Sequence, residues 1–256
     1  MWKVVSWNVN SIKARKDRLF AFLDREKPDV VCLQELKGTD ETFPFESLRE
    51  RGYHAAVWGQ KTYNGVAILS RSEPRGIRRG FEDGGETASR FVEAEIDGVH
   101  VLCAYFPNGQ AVGTEKFQYK LEWFRRLRQY LDRHHARTEK LILAGDFNVA
   151  PADIDVHDPD AWRGQILFSE PEKTALREIV GFGLHDTFRA RHPETQAFSW
   201  WDYRMLGFPK NRGLRIDLIL ASGPLRERLQ EAWIDRNERK GTGASDHAPV
   251  IAEFEL

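Results

Sequence analysis

Several apolar runs in this chain end in acidic or amide side chains. "KLILAGDFNVAP" (Lys140–Pro151) drives Leu141, Ile142, Leu143 and Ala144 into Gly145, then places Asp146 and Asn148 two residues apart. "KVVSWNVN" ends in Asn8 and Asn10, "DVVCLQE" in Gln34 and Glu35, and "VLCAYFPN" in Tyr105 and Asn108. Asp217 interrupts "LRIDLIL", and Asp246 and His247 stand in "GASDHAP", just before the last apolar run. Each group alone has a plain structural reading. Gly145 and Pro151 punctuate a strand, Asn8 would cap a following helix, and Asp-His before Pro makes a loop. If the strand ends meet in space, the same residues form one cluster of carboxylates, amides, a phenol and an imidazole. That inventory suits phosphodiester hydrolysis. Glu35 and Asp246 are hard oxygen donors suited to Mg²⁺ or Mn²⁺, and no Cys/His set has zinc spacing. Such an ion would neutralise charge growing on a phosphoryl or leaving oxygen. A carboxylate or His can align and deprotonate the attacking water, and amide and phenol donors can hold the phosphate. Asp217, if buried, needs a nearby donor, which suggests a pairing with His247.

These groups need rigid mounts, and the chain supplies short strand-like runs. Lys3–Trp7, Asp29–Leu33, Tyr53–Trp58, Val66–Ser70, Arg90–Ile96, Val99–Tyr105, Leu141–Ala144, Ile216–Ala221 and Pro249–Phe254 read as strands. Asp97-Gly98 is a two-residue hairpin signature. Ile12–Arg25 reads as a helix stopped by Pro28, a short helix is expected near Ser47–Arg51 with Gly52 as its cap, and Ala175–Val180 ends at Gly181. The clearest helix is Lys116–Leu131, with Phe117, Leu121, Phe124, Leu127 and Leu131 on one stripe. The longest irregular stretches are 152–172 and 202–213, and loops of that length are usually functional. The pattern predicts one domain over residues 1–256 in the α/β class, with two packed sheets and helices outside.

Composition sets wide bounds. Hydrophobic residues make up 41% of 256 residues and charged residues 30%, which suits a packed soluble core. The net charge of −1 does not announce a nucleic-acid binder, and acidic metal ligands that offset a basic rim leave that class open. Cys32 and Cys103 both lie in apolar runs and are expected as buried free thiols. No apolar run approaches the ~18 residues of a membrane span. "MWKVVSWNVN" turns polar too early for a signal peptide, so a cytoplasmic location is expected. "DIDVHDPD" lacks the Gly and terminal Glu of a calcium loop and reads as surface. His134-His135 and Arg125, Arg126 and Arg128 read as a solvated helix face.

The ordered motifs carry a resemblance. "SWNVNSIKAR", "PDVVCLQELK", "GQKTYNGVAILSR", "AYFPNG", "LAGDFNVAPADIDV", "FSWWDYR", "NRGLRIDLILAS" and "SDHAPV" follow one another along the whole chain. With them the chain resembles the exonuclease III / apurinic endonuclease family, within the endonuclease–exonuclease–phosphatase superfamily, and its bacterial exonuclease III branch in particular. The resemblance implies a four-layered α/β sandwich of mostly antiparallel sheets, DNase I-like. It implies a Mg²⁺-dependent DNA repair nuclease with Mn²⁺ able to substitute. The expected activities are 3′→5′ exonuclease, 3′-phosphatase or phosphodiesterase, and incision at abasic sites. The expected enzyme is a monomer acting on double-stranded DNA with abasic sites or 3′ ends. By the same resemblance the metal lies near Asn8, Glu35 and Asp246, with Asp146, Asn148 and His247 beside it. Asp146 orients or deprotonates water, Asn148 holds water and phosphate, and Tyr105 contacts phosphate or the leaving oxygen. His247 contacts phosphate and Asp217 partners it. Trp200, Leu214 and Ile216 line a pocket for the base-less sugar. Lys61, Arg90, Arg204 and Asn211 lie in segments near DNA, and Trp201 is expected in the core. Asn10 departs from the family's common Asp, which leaves a second metal in question. Two other readings remain: a phosphodiesterase or phosphatase on a non-DNA ester, and a non-catalytic nucleic-acid binder. The latter would have lost acidic ligands or the His, and here Glu35, Asp146, Asp217, Asp246 and His247 are all present.

Overall fold

In the chain's own order the strands are β1 (Trp2–Asn8), β2 (Val30–Gln34), β3 (His54–Trp58), β4 (Val66–Ser70), β5 (Arg75–Arg79), β6 (Phe91–Ile96), β7 (Val99–Tyr105), β8 (Leu141–Asp146), β9 (Leu184–Asp186), β10 (Asp217–Ser222), β11 (Leu229–Ile234) and β12 (Val250–Phe254). The helices are α1 (Ile12–Glu26), α2 (Phe45–Glu50), α3 (Glu115–His134), α4 (Pro159–Trp162), α5 (Glu170–Val180), α6 (Thr187–Arg191) and α7 (Gly223–Arg226). They come from a computed structural model that describes residues 1–85 and 87–256.

The strands form two six-stranded sheets, β11-β12-β1-β2-β4-β3 and β5-β6-β7-β8-β10-β9. All neighbours run antiparallel except β1 with β2 and β7 with β8. The central strands are apolar along their whole length because both their faces are covered. Along β1, Val4 joins a core between the sheets while Val5 and Trp7 face α1. Along β8, Ile142 and Ala144 face the other sheet while Leu141 and Leu143 face α3 and α5. The period of two therefore builds four layers: α1 and α2, sheet, sheet, α3 and α5.

The helices start and stop as their sequences dictate. Ser11 accepts from Ala14 N (3.4 Å) at the start of α1, and Lys27 in the left-handed region (φ 47) ends it. Thr114 accepts from Phe117 N (3.2 Å) at the start of α3, whose Phe117, Trp123, Phe124, Leu127, Tyr130 and Leu131 are buried. Asp97 (φ 54) and Gly98 (φ 75) make the turn between β6 and β7 with both central residues left-handed. Both cysteines are free and buried.

Three strands, β5, β9 and β11, and the short helices α4, α6 and α7 are absent from the pattern reading. β5 is "RGIRR", a basic, mostly exposed edge with no apolar alternation, and β9 is three residues long. Two surface assignments are corrected. His135 is buried with its side chain wholly inaccessible, because it folds back from the end of α3 onto β6. Arg126 forms a bidentate pair with Asp83 (2.6 and 2.8 Å), and only Arg125 of the three arginines is open to solvent.

Candidate active site

Register alone brings three of the expected groups side by side. On β8, Asp146 pairs with Tyr105 of β7 on one flank and Asp217 of β10 on the other. On the facing sheet Asn8 pairs with Gln34, and Glu35 follows directly. The two parallel pairs point their C-terminal ends the same way, so Asn8, Glu35, Tyr105 and Asp146 collect at one end of the sandwich. Asp217 and His247 reach the same end from the beginnings of antiparallel strands. Gly145 lets the strands close there: a Cβ on it would stand 1.9 Å from the Ala104 carbonyl oxygen. The loops around the cluster are strained. Asn10, Ser11, Glu35, Lys37 and Asn148 all have φ between 45° and 89°, a region non-glycine residues avoid unless surrounding contacts hold them.

One amide joins the two central carboxylates. Asn8 Nδ2 donates to Glu35 Oε1 and to Asp146 Oδ2, each at 2.9 Å, and Asn8 Oδ1 accepts from Asn10 N (3.0 Å). Asn8 thus turns its nitrogen, not its oxygen, toward the expected metal position. Glu35 also accepts from Tyr105 OH (2.9 Å) and pairs with Lys37 Nζ (2.8 Å), which continues to Asn10 Oδ1 (2.5 Å). Burial would raise the Glu35 pKa, but bonds from Asn8 and Lys37 outweigh it and hold the carboxyl below its ordinary value. Asp146 is buried and shifts the other way. Burial first, with Asp217 and Glu35 nearby, pushes it up to about 7 despite the opposing pull of His247 and Asn8. Burial and the Glu35 and Asp146 charges raise the Tyr105 phenol, which stays protonated at neutral pH.

His247 Nδ1 lies 2.9 Å from Asp217 Oδ2, and its Nε2 is 3.8 Å from Asp146 Oδ2. Burial opposes protonation of the ring, but Asp217 and Asp146 overcome it and push its pKa up to about 10. Asp217 has the partner its burial requires, and a second in Ser199 Oγ (2.6 Å). Asp246 accepts from Asn10 Nδ2 (2.8 Å) and Trp200 Nε1 (3.1 Å) at the rim. Asn148 donates its backbone N–H to Asp146 Oδ1 (2.9 Å), while its amide bonds Phe106 O (3.0 Å) and Asn108 (3.2 Å).

Glu35, Asp146 and His247 each offer a ligand atom within 4.8 Å of the others. The fit to a divalent cation is best for the two carboxylates. Lys37 already places a positive charge against Glu35, and a ring kept protonated against Asp217 is a poor ligand. Arg90 donates to Tyr105 O (3.2 Å) with its guanidinium 4.8 Å from the Tyr105 ring centroid. Lys61 is exposed in a groove of about 700 Å³ that also contains Lys13, Lys16 and Lys37. Trp200 lies in a second groove with Arg204, and Arg204 is locked bidentate on Asp202. Asn211 is exposed, and its oxygen accepts from Trp201 Nε1 (3.2 Å), while Trp201 is fully buried. Leu214 and Ile216 are buried in a small cluster with Val156 and Phe168 that Trp200 packs against. They support Trp200 from behind and do not themselves form the groove wall.

Four residues at or behind this cluster escape the sequence reading. Lys37 carried no signal beyond its nearness to Glu35. Ser199 was hidden in "FSWWDYR". Lys120 interrupts the apolar stripe of α3 one turn after Phe117, which was a readable signal. Its ammonium donates to Asn148 O (2.6 Å) and Asn108 O (3.1 Å) and pairs with buried Glu172. Arg215, wholly buried, ties Asp155 (2.6 Å) to Asp186 (2.8 Å), so "DIDVHDPD" is an anchored segment with a buried Asp155 and not plain surface.

The comparisons with known proteins agree with this fold. Exodeoxyribonuclease III of Haemophilus influenzae is 39% identical over 98% of this chain and 99% of its own length. An AP endonuclease of Archaeoglobus fulgidus superposes with a TM-score of 0.98 at 36% identity, covering 100% of both chains. A 3′ phosphatase from Neisseria, solved bound to a product DNA hairpin, gives a TM-score of 0.96 at 39% identity, again over 100% of both. The model of the Endonuclease/Exonuclease/phosphatase family matches residues 5–247, the span from β1 to the imidazole that closes the cluster, and the chain belongs to that family.

Proposed function

We propose that this protein is a metal-dependent DNA repair nuclease that hydrolyses phosphodiesters in double-stranded DNA. Its activities would include 3′→5′ exonuclease, 3′-phosphatase or phosphodiesterase, and incision beside abasic sites. The observation that carries this reading is Asp146. It is a buried carboxylate near neutral pKa, held by Asn8 and the Asn148 N–H, between an imidazolium and Glu35.

Glu35 and Asp146 would hold the cation, with Asp246, and with Asn8 after a flip of its amide. Mg²⁺ suits the oxygen donors, and Mn²⁺ would substitute. Bound there, it supplies positive charge to the phosphoryl and leaving oxygens. Asp146 accepts a proton from the attacking water, and its carboxyl, about 7 without metal, would be lowered by the cation beside it. His247, kept charged by Asp217, donates from Nε2 to a phosphate oxygen. Tyr105 turns its O–H from Glu35 to the leaving or a non-bridging oxygen. Asn148 positions Asp146 through its backbone and keeps one amide N–H for phosphate. Lys61 and Arg90 contact the DNA backbone, and Trp200 faces the sugar, supported by Leu214 and Ile216. Arg204 and Asn211 approach DNA from the same loop. We take residues 1–256 as one domain acting as a monomer, because the site draws on both sheets. No helix among the described residues is long and apolar enough to cross a membrane, and two buried free thiols fit a reducing cytoplasm.

The test is a labelled duplex with one abasic-site analogue, beside an intact duplex with a recessed 3′ end, each with Mg²⁺ or EDTA. Cleavage of either with Mg²⁺ alone is expected. No cleavage of both would sink the reading, and binding without cleavage would make the chain a nucleic-acid binder.

A further inference from the structure

On the outer face of the second sheet, away from the nuclease cluster, Glu93 of β6, His100 of β7 and His135 at the end of α3 converge. His100 pairs in register with Leu141, five residues before Asp146 along β8, a distance of roughly 17 Å at about 3.3 Å per residue. Glu93 and His135 are buried, with side-chain exposures of 3% and 0%. Glu93 Oε1 stands 3.4 Å from His100 Nδ1, and Glu93 Oε2 stands 3.4 Å from His135 Nε2. One ligand atom from each residue lies within 4.8 Å of the other two.

We propose that these three residues form a second metal site, built for a borderline transition ion of the Zn²⁺ class. The separations leave room for an ion in place of the long His135 Nε2···Glu93 Oε2 hydrogen bond. At 3.4 Å they exceed the usual N–H···O length of about 2.9–3.0 Å. Each is close to the edge of a ligand tetrahedron, about 3.3 Å, around a metal with bonds of about 2.0–2.1 Å, and because they end on different oxygens of Glu93 the carboxylate would span the ion with both. His100 Nδ1 is buried and makes no hydrogen bond. The two rings meet edge to face with their centroids 4.9 Å apart.

The surroundings orient the same atoms. His135 Nδ1 lies 3.2 Å from Glu139 Oε2, and His100 Nε2 lies 3.9 Å from that oxygen. Each ring therefore turns one nitrogen to Glu93 and the other to Glu139, the arrangement that fixes ligating imidazoles in metal sites. Tyr130 OH donates to Glu93 Oε2 and holds the carboxylate. His100 is 31% exposed, which gives an ion access and leaves a fourth position for water. Two imidazoles and a carboxylate suit Zn²⁺, Co²⁺ or Ni²⁺, whereas the all-oxygen nuclease ligands suit Mg²⁺. Consecutive-ligand spacing could not reveal this set, because its members come from two strands and a helix end.

The test uses the full chain, stripped with chelator and supplied with excess Mg²⁺ to fill the nuclease site. Co²⁺ is titrated in, followed by Zn²⁺. One equivalent of Co²⁺ should give visible tetrahedral bands that one equivalent of Zn²⁺ abolishes. H100N should lose the bands while keeping Mg²⁺-dependent nuclease activity. E139Q should keep the bands with affinity weakened about tenfold or more. Co²⁺ binding without tetrahedral bands, or an isotherm the same in H100N as in the parent, would overturn the site and leave an ion-pair network.

Discussion

Asp146 carries two opposed demands, and both are measurable. In its proposed role as proton acceptor it should be indispensable. D146N should cut turnover by about 10²–10⁴-fold while leaving DNA affinity nearly unchanged in a gel-shift assay. The same carboxylate destabilises the metal-free fold at neutral pH and above. Its folded pKa, about 7, exceeds the ordinary 3.8. The stability it contributes is complete below 3.8 and lost as pH rises through 7. D146N should therefore raise the melting temperature of chelated protein at pH 8 by at least about 2 °C. A lower melting temperature would mean that the lost Asn8 and Asn148 bonds outweigh the buried charge. His247 has the same sign. Raised from 6.5 to about 10, it contributes stability that is complete below 6.5 and lost as pH climbs through 10. D217N should bring that loss to lower pH and make activity decline with pH where the parent stays flat. At this scale the sequence was informative where polar side chains ended apolar runs, as Asp146 and Glu35 do. It was silent on Lys37, whose second partner Asn10 lies 27 positions away, and on Ser199, 18 positions from Asp217.

Elements hold these residues through close approach. A methyl at Gly145 would occupy the space of the Ala104 carbonyl, and only separation of β7 from β8 could relieve it. G145A should destabilise by more than about 3 kcal/mol in thermal or urea unfolding, at the severe end of overpacking, and lower activity by displacing Asp146 from Tyr105. Arg215 ties the segment before β10 to Asp155 and Asp186. R215M should cost about 3–5 kcal/mol, because Asp155 would lose its innermost partner, though Arg189 still reaches it (2.6 Å). Long apolar or strongly periodic elements were legible: β1, β8 and α3 emerge nearly at their true bounds. β5 was not, since an exposed edge strand needs no apolar alternation, and neither was β11, an edge strand whose "LQEAWI" buries only Leu229 and Ala232. Among the described residues β9 pairs only with β10.

For the whole molecule, a formal charge of −1 conceals an uneven surface. Asp146 and Asp217 are buried while Lys13, Lys16, Lys37 and Lys61 line one groove. Binding to duplex DNA should weaken steeply with salt, and K61A should reduce the log–log salt slope by about one without changing sequence preference. An unchanged slope would remove Lys61 from the DNA path. The two-sheet sandwich was legible from strand spacing and resemblance together, but the partition of strands between sheets was not, because β11 and β12 return to the sheet begun by β1. That return has a consequence for synthesis. β12 inserts between β1 and β11, and His247 stands three residues before it. During translation the first sheet stays open at β1 until β12 has emerged, so its closure is a late, long-range step. The strand that completes the sheet also delivers the imidazole. With His247 in its proposed role, a chain cut before it should be inactive toward phosphodiesters, and hydrolysis should arrive only with the closed fold.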